Sequence, residues 1–215
     1  MTGSLGKMFR LLAFATAVTL GAPDMVLASK PLEVTAMQAA SIQHITDYIN
    51  GLKNLQGDFT QISPKGNLSR GVFFISKPGK MRFEYAPPNP FLIVADGKWL
   101  TIKNRAKEKG DQFPLSETPL RLVLANEVDL LKDTNILGFE ESDGLTSVTL
   151  EDKEGVLGGQ LILVFDQNAN TLQQWVIIDS KGRRTTVSLD NIVTGVKPDP
   201  QLFVVKIARK DKDNK

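Results

Sequence analysis

Cysteine is absent from the 215 residues and histidine occurs once, at position 44. Without a thiol there is no disulfide framework, no cysteine nucleophile, no thiolate zinc site and no acylated cysteine anchor. A single imidazole excludes a zinc site that needs two and leaves little room for a histidine-dependent triad. Charge of one sign is also lacking. The 26 Lys and Arg stand against 24 Asp and Glu, a net +2, whereas a nucleic-acid binder shows a clustered basic face. Most enzyme chemistry is therefore disfavoured, no metal or cofactor is indicated, and no nucleic-acid partner is expected. What is present is apolar: a hydrophobic share of 41% over this length supports one domain with a full core, and not comfortably two.

The chain divides into three parts. Lys7 and Arg10 precede an apolar run from Leu11 to Leu20, and Val26-Leu27-Ala28 presents small residues where a signal peptidase reads. This layout predicts a cleaved secretory leader over residues 1–28, because the run is too short to cross a bilayer core of about 30 Å. A single domain over residues 29–208 and a charged, disordered tail over residues 209–215 complete the expected organisation. Residue 29 is Ser, so no lipidated cysteine follows the cleavage site, and an exported, soluble protein is expected.

Thr35-Ala-Met-Gln38 is a capping box, and Ile42, Ile45, Ile49 and Leu52 recur beyond it at helical spacing. One amphipathic helix is predicted from Ala36 to Lys53. From Gly57 the pattern changes to short alternating runs broken by turn residues. Eleven strands are predicted: 58–63, 71–77, 80–85, 91–95, 98–104, 138–142, 146–152, 160–166, 171–179, 183–191 and 201–208. Asp96-Gly97 suits a type I′ hairpin, and 166–170 and 180–182 hold residues tolerant of positive φ. Thr118-Pro119 opens one or two short helices ending by Lys132. A meander of this length curls towards a barrel.

Lys80-Met-Arg-Phe-Glu-Tyr85 alternates strictly, placing Met81, Phe83 and Tyr85 on one face and three charged side chains on the other. The runs 72–75, 91–94 and 161–165 are apolar on both faces. Either these strands are covered twice by an ordinary core, or one face lines an apolar cavity for a hydrophobic ligand. Periodicity leaves both open.

Several pieces in order carry a resemblance. Gly57-Asp-Phe-Thr-Gln61, Gly71-Val-Phe-Phe-Ile-Ser-Lys-Pro-Gly79, Met81-Arg-Phe-Glu-Tyr85, Pro88, Ile93-Val-Ala-Asp-Gly-Lys98, Thr118-Pro-Leu120 and Leu202-Phe203 together resemble the outer-membrane lipoprotein carrier family, the LolA type, over nearly the whole mature chain. The resemblance implies a mainly β, single-domain, incomplete antiparallel β-barrel of about eleven strands, with an N-terminal helix and short central helices as a lid over an apolar cavity. It implies a non-enzymatic periplasmic carrier, expected as a monomer. Acylated lipoproteins would come from an inner-membrane ABC-type releasing complex and pass to an outer-membrane receptor lipoprotein. The missing cysteine favours the soluble carrier over that receptor. Candidate cavity residues are Phe59, Phe73, Ile75, Met81, Phe83, Phe91 and Ile93, with Leu120, Val123 and Leu124 on the lid.

The resemblance also implies a latch. Carriers of this type place an Arg before the Pro at the end of the second strand and bond it to the lid backbone; Lys77, before Pro78, stands there instead. An ammonium lacks the planar fork of a guanidinium and holds such a contact less tightly. The family's Pro-rich continuation after the last strand is replaced by 203–212, rich in Lys and Arg. His44 is expected on the helix surface, Trp99 and Trp175 at the core or cavity edge, and Glu140, Glu141, Asp143, Glu151 and Asp152 as solvated turn acids without calcium-loop spacing. Two alternatives accompany the carrier reading: a lipid- or lipoprotein-sensing regulatory module of the same fold, and an exported hydrolase built on those carboxylates, which would need an acidic pair lining the pocket.

Overall fold

A computed structural model describes residues 30–107, 109–153 and 159–207. The predicted leader and tail therefore lie outside the described residues, as do Ser29 and Ala208. The Thr35 hydroxyl accepts the Gln38 amide at 3.3 Å and the Gln38 side chain accepts the Thr35 amide at 2.9 Å, so α1 (Ala36–Gly51) starts on the expected capping box. Ile42, Ile45 and Ile49 bury its apolar stripe. The helix stops short of Lys53, because Leu52 is already extended.

Eleven antiparallel strands follow in one sheet. In chain order the first six are β1 (Asn54–Ile62), β2 (Leu68–Ser76), β3 (Lys80–Tyr85), β4 (Phe91–Asp96), β5 (Trp99–Asn104) and β6 (Gly110–Pro114). After α2 (Leu120–Leu124) and α3 (Leu130–Asp133) come β7 (Thr134–Ser142), β8 (Leu145–Asp152), β9 (Gly159–Asp166), β10 (Thr171–Asp179) and β11 (Arg184–Thr194). The order β6-β5-β4-β3-β2-β1-β11-β10-β9-β8-β7 puts β6 and β7 at opposite edges, so the sheet stays open. The segment bearing α2 and α3 runs from one edge to the other, which is why the strand pattern breaks in mid-sequence.

Two corrections concern strand membership. The expected strand over 201–208 is a 3₁₀ turn, Pro200–Phe203, started by the Asp199 side chain, and residues 204–207 pair with no strand. In its place stands β6, which the sequence pattern did not suggest. The C-terminal segment is a strap across the outer face: Phe203 packs on Leu92 and Val94, beside Phe74. Arg82 donates to the Leu202 carbonyl at 3.0 Å and Lys103 to the Lys206 carbonyl at 2.7 Å. Strands 2 and 4 are thus apolar on both faces because one faces inward and the other lies under this strap. At the β4–β5 turn Gly97 alone has positive φ and Asp96 accepts the Lys98 and Trp99 amides, so it is not the type I′ turn expected, which requires positive φ at both central residues.

Two glycines let β1 and β2 approach an aromatic layer. Phe59 lies opposite Gly71, and Phe73 opposite Gly57. A Cβ on Gly71 would stand 2.1 Å from the Glu84 carbonyl oxygen and 2.7 Å from the Phe59 ring; one on Gly57 would stand 2.9 Å from the Phe73 ring. Each ring occupies the space its partner's side chain would fill, and Phe59 and Phe73 are fully buried as a result.

Candidate functional site

Inward-facing residues of β3, β4 and β5 meet those of β10 and β11 across an apolar cavity of about 180 Å³. Met81, Phe83, Ile93 and Leu100 form one wall, Trp175 and Val187 the other, and Leu120 of α2 covers it. Its polar members are Gln61, Tyr85 and Thr185. The Tyr85 hydroxyl donates to the Gln61 side-chain carbonyl at 2.6 Å, and burial pushes the phenol up to about 12, so Tyr85 stays neutral and is satisfied within the wall. Among the described residues no carboxylate or imidazole lines this cavity, so they supply no acidic pair of the kind that the hydrolase alternative needs.

The predicted cavity residues fall into four groups. Met81, Phe83 and Ile93 line the cavity. Ile75 lines a second, much smaller void of about 10 Å³ under α1 and α2. Phe59 and Phe73 stand behind the lining, their ring centroids 4.7 and 5.6 Å from that of Phe83. Phe91 is a correction. It shares the phase of Ile93, but it begins β4, pairs with Asn104 at the end of the strand and is 43% exposed, beyond the cavity. Of the lid residues, Leu120 lines the cavity and Val123 the small void, while Leu124 is buried.

The turn between β2 and β3 holds the ends of two helices. Lys77 Nζ donates to the Ile49 carbonyl at 2.7 Å, the Lys77 amide to the Lys53 carbonyl at 2.7 Å, and the Gly79 amide to the Leu124 carbonyl at 2.8 Å. The last turn of a helix has carbonyls without intrahelical partners and carries partial negative charge, so a donor-rich turn is a natural fastener for it. Burial, and then the charge on Lys53, push the Lys77 ammonium down to about 8.

A second fastening was not visible in the sequence. Arg121 on α2 pairs with Asp152 at the end of β8, and Asp152 is 3% exposed, not a solvated turn acid. Its second carboxylate oxygen is buried without a partner among the described residues. Two charged positions far apart in sequence carry no local signal of meeting. Alternation could have found Trp175, Ile177, Thr185 and Val187 as lining, since β10 and β11 repeat the phase of β3. The other tryptophan, Trp99, is 37% exposed. His44 is exposed on α1 and bonds Asn170 at 2.8 Å, and Glu140, Glu141 and Asp143 are exposed, with no cluster of metal-binding side chains among the described residues.

An open antiparallel sheet folded round an apolar chamber, with helices fastened over it, has the form of a container for an apolar ligand. The chain belongs to the family described as outer membrane lipoprotein carrier protein LolA, which matches residues 50–206. It is 27% identical over 194 residues to the outer-membrane lipoprotein carrier protein of Cupriavidus taiwanensis, covering 83% of this chain and 89% of that one. To the protein of the same description from Neisseria meningitidis serogroup C it is 26% identical over 186 residues, 83% and 86% of the two chains. Among solved structures, the LolA superfamily protein NE2245 of Nitrosomonas europaea overlays 78% of this chain and 97% of its own at a TM-score of 0.45 and 13% identity. No helix of the described residues is long and apolar enough to cross a membrane.

Proposed function

We propose that this protein carries acylated lipoproteins through the periplasm, sheltering their acyl chains in the cavity between β3–β5 and β10–β11. It would receive them from an inner-membrane ABC-type releasing complex and pass them to an outer-membrane receptor. The observation that supports this reading most is the coincidence of an apolar chamber with a lid held by main-chain carbonyls. A buried methylene is worth about 0.8 kcal/mol, so one acyl chain represents on the order of 10 kcal/mol that water cannot replace. A carrier must offer a comparable apolar wall and release it by direct contact. Met81 and Phe83 suit irregular chains, because thioether and ring adapt without specific polar contacts.

Lys77 is the latch in this reading. Its bond to Ile49 and the Gly79 bond to Leu124 keep α1 over the small void and α2 over the cavity, and cargo entry breaks them. The mature chain acts as a monomer, without metal or cofactor. The test is to incubate purified protein with membranes bearing labelled lipoproteins, the releasing complex and ATP. A soluble protein–lipoprotein complex supports the carrier; its absence defeats it.

A further inference from the structure

Trp175 belongs to two spaces at once. Its indole lines the main cavity with Phe83 and Val187, and it lines the small void with Lys77, Tyr48 and Val123. The side chain is 2% exposed, and its ring centroid lies 5.8 Å from that of Phe83 in an edge-on contact. On one side of it lie about 180 Å³, on the other about 10 Å³, roughly the least space that holds one water. The half-buried members of the main cavity, Gln61, Ile93, Ile102, Ile177 and Thr185, mark its rim, whereas Met81, Phe83, Trp175 and Val187 are buried and mark its inner end.

A flexible chain entering at the rim therefore meets the indole before it can reach the underside of the latch. We propose that Trp175 is the length stop of the cavity: it sets how many methylenes of an acyl chain are sheltered, and only its displacement joins the cavity to the void beneath Lys77. This rests on the acyl-carrying reading above and adds to it a residue that selects by chain length. No polar recognition is required. An indole is large and stiff, with two rotatable bonds, and it is wedged between the β3 ring and the β11 side chains, so moving it costs far more than bending a Leu or Met would.

The test is a chain-length ladder. Straight-chain fatty acids from octanoate to stearate, kept below their micellar concentrations, are titrated calorimetrically into protein purified after export of the full chain. Each methylene that finds an apolar wall improves Kd by about fourfold. The affinity of the wild-type protein should rise at about that rate and then level off at the length that reaches the indole. In Trp175→Ala the levelling point should move by two or more methylenes to longer chains, read within each protein's own affinity series. Trp175→Leu and Trp175→Phe are run in parallel, so that a folding failure of one variant leaves the others to report, and the Phe variant should show a smaller shift in the same direction. Levelling at the same length in wild type and variants, or no levelling in the wild type, overturns the stop alone. Failure of the wild type to bind any of the acids overturns the carrier reading itself.

Discussion

Lys77 Nζ stands 2.7 Å from the carbonyl oxygen of Ile49, joining the end of β2 to the last turn of α1. The contact is charge-assisted, and its donor has left bulk water to make it. Lys77→Leu removes the bond together with the cost of burying the charge, and in the latch reading the bond is the larger of the two. Losing a net contribution of about 1 kcal/mol raises the population of opened α1 by roughly fivefold. Hydrogen exchange of the α1 amides should accelerate by that factor, while those of β8–β10 remain unchanged, and Lys77→Arg should restore protection. Uniform acceleration across both regions would show that Lys77 supports the whole fold instead.

The same contact has a pH signature. Lys77 loses its proton at about 8 in the buried site, against 10.5 when exposed, with desolvation as the larger cause and Lys53 as the smaller. Below pH 8 the ammonium is present whether the lid is down or up, and the lid-down state bears the full cost of burying it. Between 8 and 10.5 the buried form sheds its proton first, so the lid-down state gains stability as pH rises, and above 10.5 the gain is complete. Tyr48, whose phenol burial also pushes up, stays neutral over most of this range. Protection of α1 should therefore increase from pH 8 to 10 in the wild type relative to Lys77→Met. A difference that stays flat or falls contradicts the assignment.

Arg121 and Asp152 are coupled asymmetrically. Removing the guanidinium in Arg121→Met strands a carboxylate that is almost wholly buried, whereas Asp152→Asn leaves a partly exposed cation with water at hand. The first change should cost about 3–5 kcal/mol and the second clearly less, and the double variant should recover much of the loss. Urea unfolding of the three variants measures this. Equal single costs that add in the double variant would mean that the two groups do not interact.

Gly71 is held by the packing of Phe59. With a Cβ 2.1 Å from the Glu84 carbonyl, Gly71→Ala must push β2 away from β3. The cost should be about 1–3 kcal/mol, with a loss of ordered aromatic signals from Phe59 and Phe83. Thermal unfolding together with near-ultraviolet circular dichroism would detect it. Unchanged stability would show that the sheet yields there.

Legibility followed the range of the interactions. The Thr35–Gln38 capping box and the alternation of Met81, Phe83 and Tyr85 are local, and both led to the observed elements. The edge strand β6, Gly-Asp-Gln-Phe-Pro, has one large apolar residue and pairs on one side only, so it has no alternation to detect. Phe203, Val205 and Ile207 alternate like a strand, yet Phe203 packs on the outer faces of Leu92 and Val94 and the segment pairs with neither edge of the sheet. Phe91 has the right phase for the cavity and the wrong position along β4, because phase fixes the face of a strand and says nothing about where a chamber ends. The Arg121–Asp152 pair and the double role of Trp175 depend on how the two halves of the sheet curl together, which no short stretch of sequence encodes.

The most direct measurement compares two neighbours on one strand. Ile93 lines the cavity and Phe91, on the same face two residues earlier, lies outside it. A photoreactive benzoylphenylalanine is placed at each position in turn, the protein is loaded with labelled lipoprotein by the releasing complex and ATP, and the sample is irradiated. A strong lipoprotein adduct at 93 and little or none at 91 is the predicted result. Equal adducts at both positions, or an adduct at 91 alone, would contradict acyl-chain binding in this cavity.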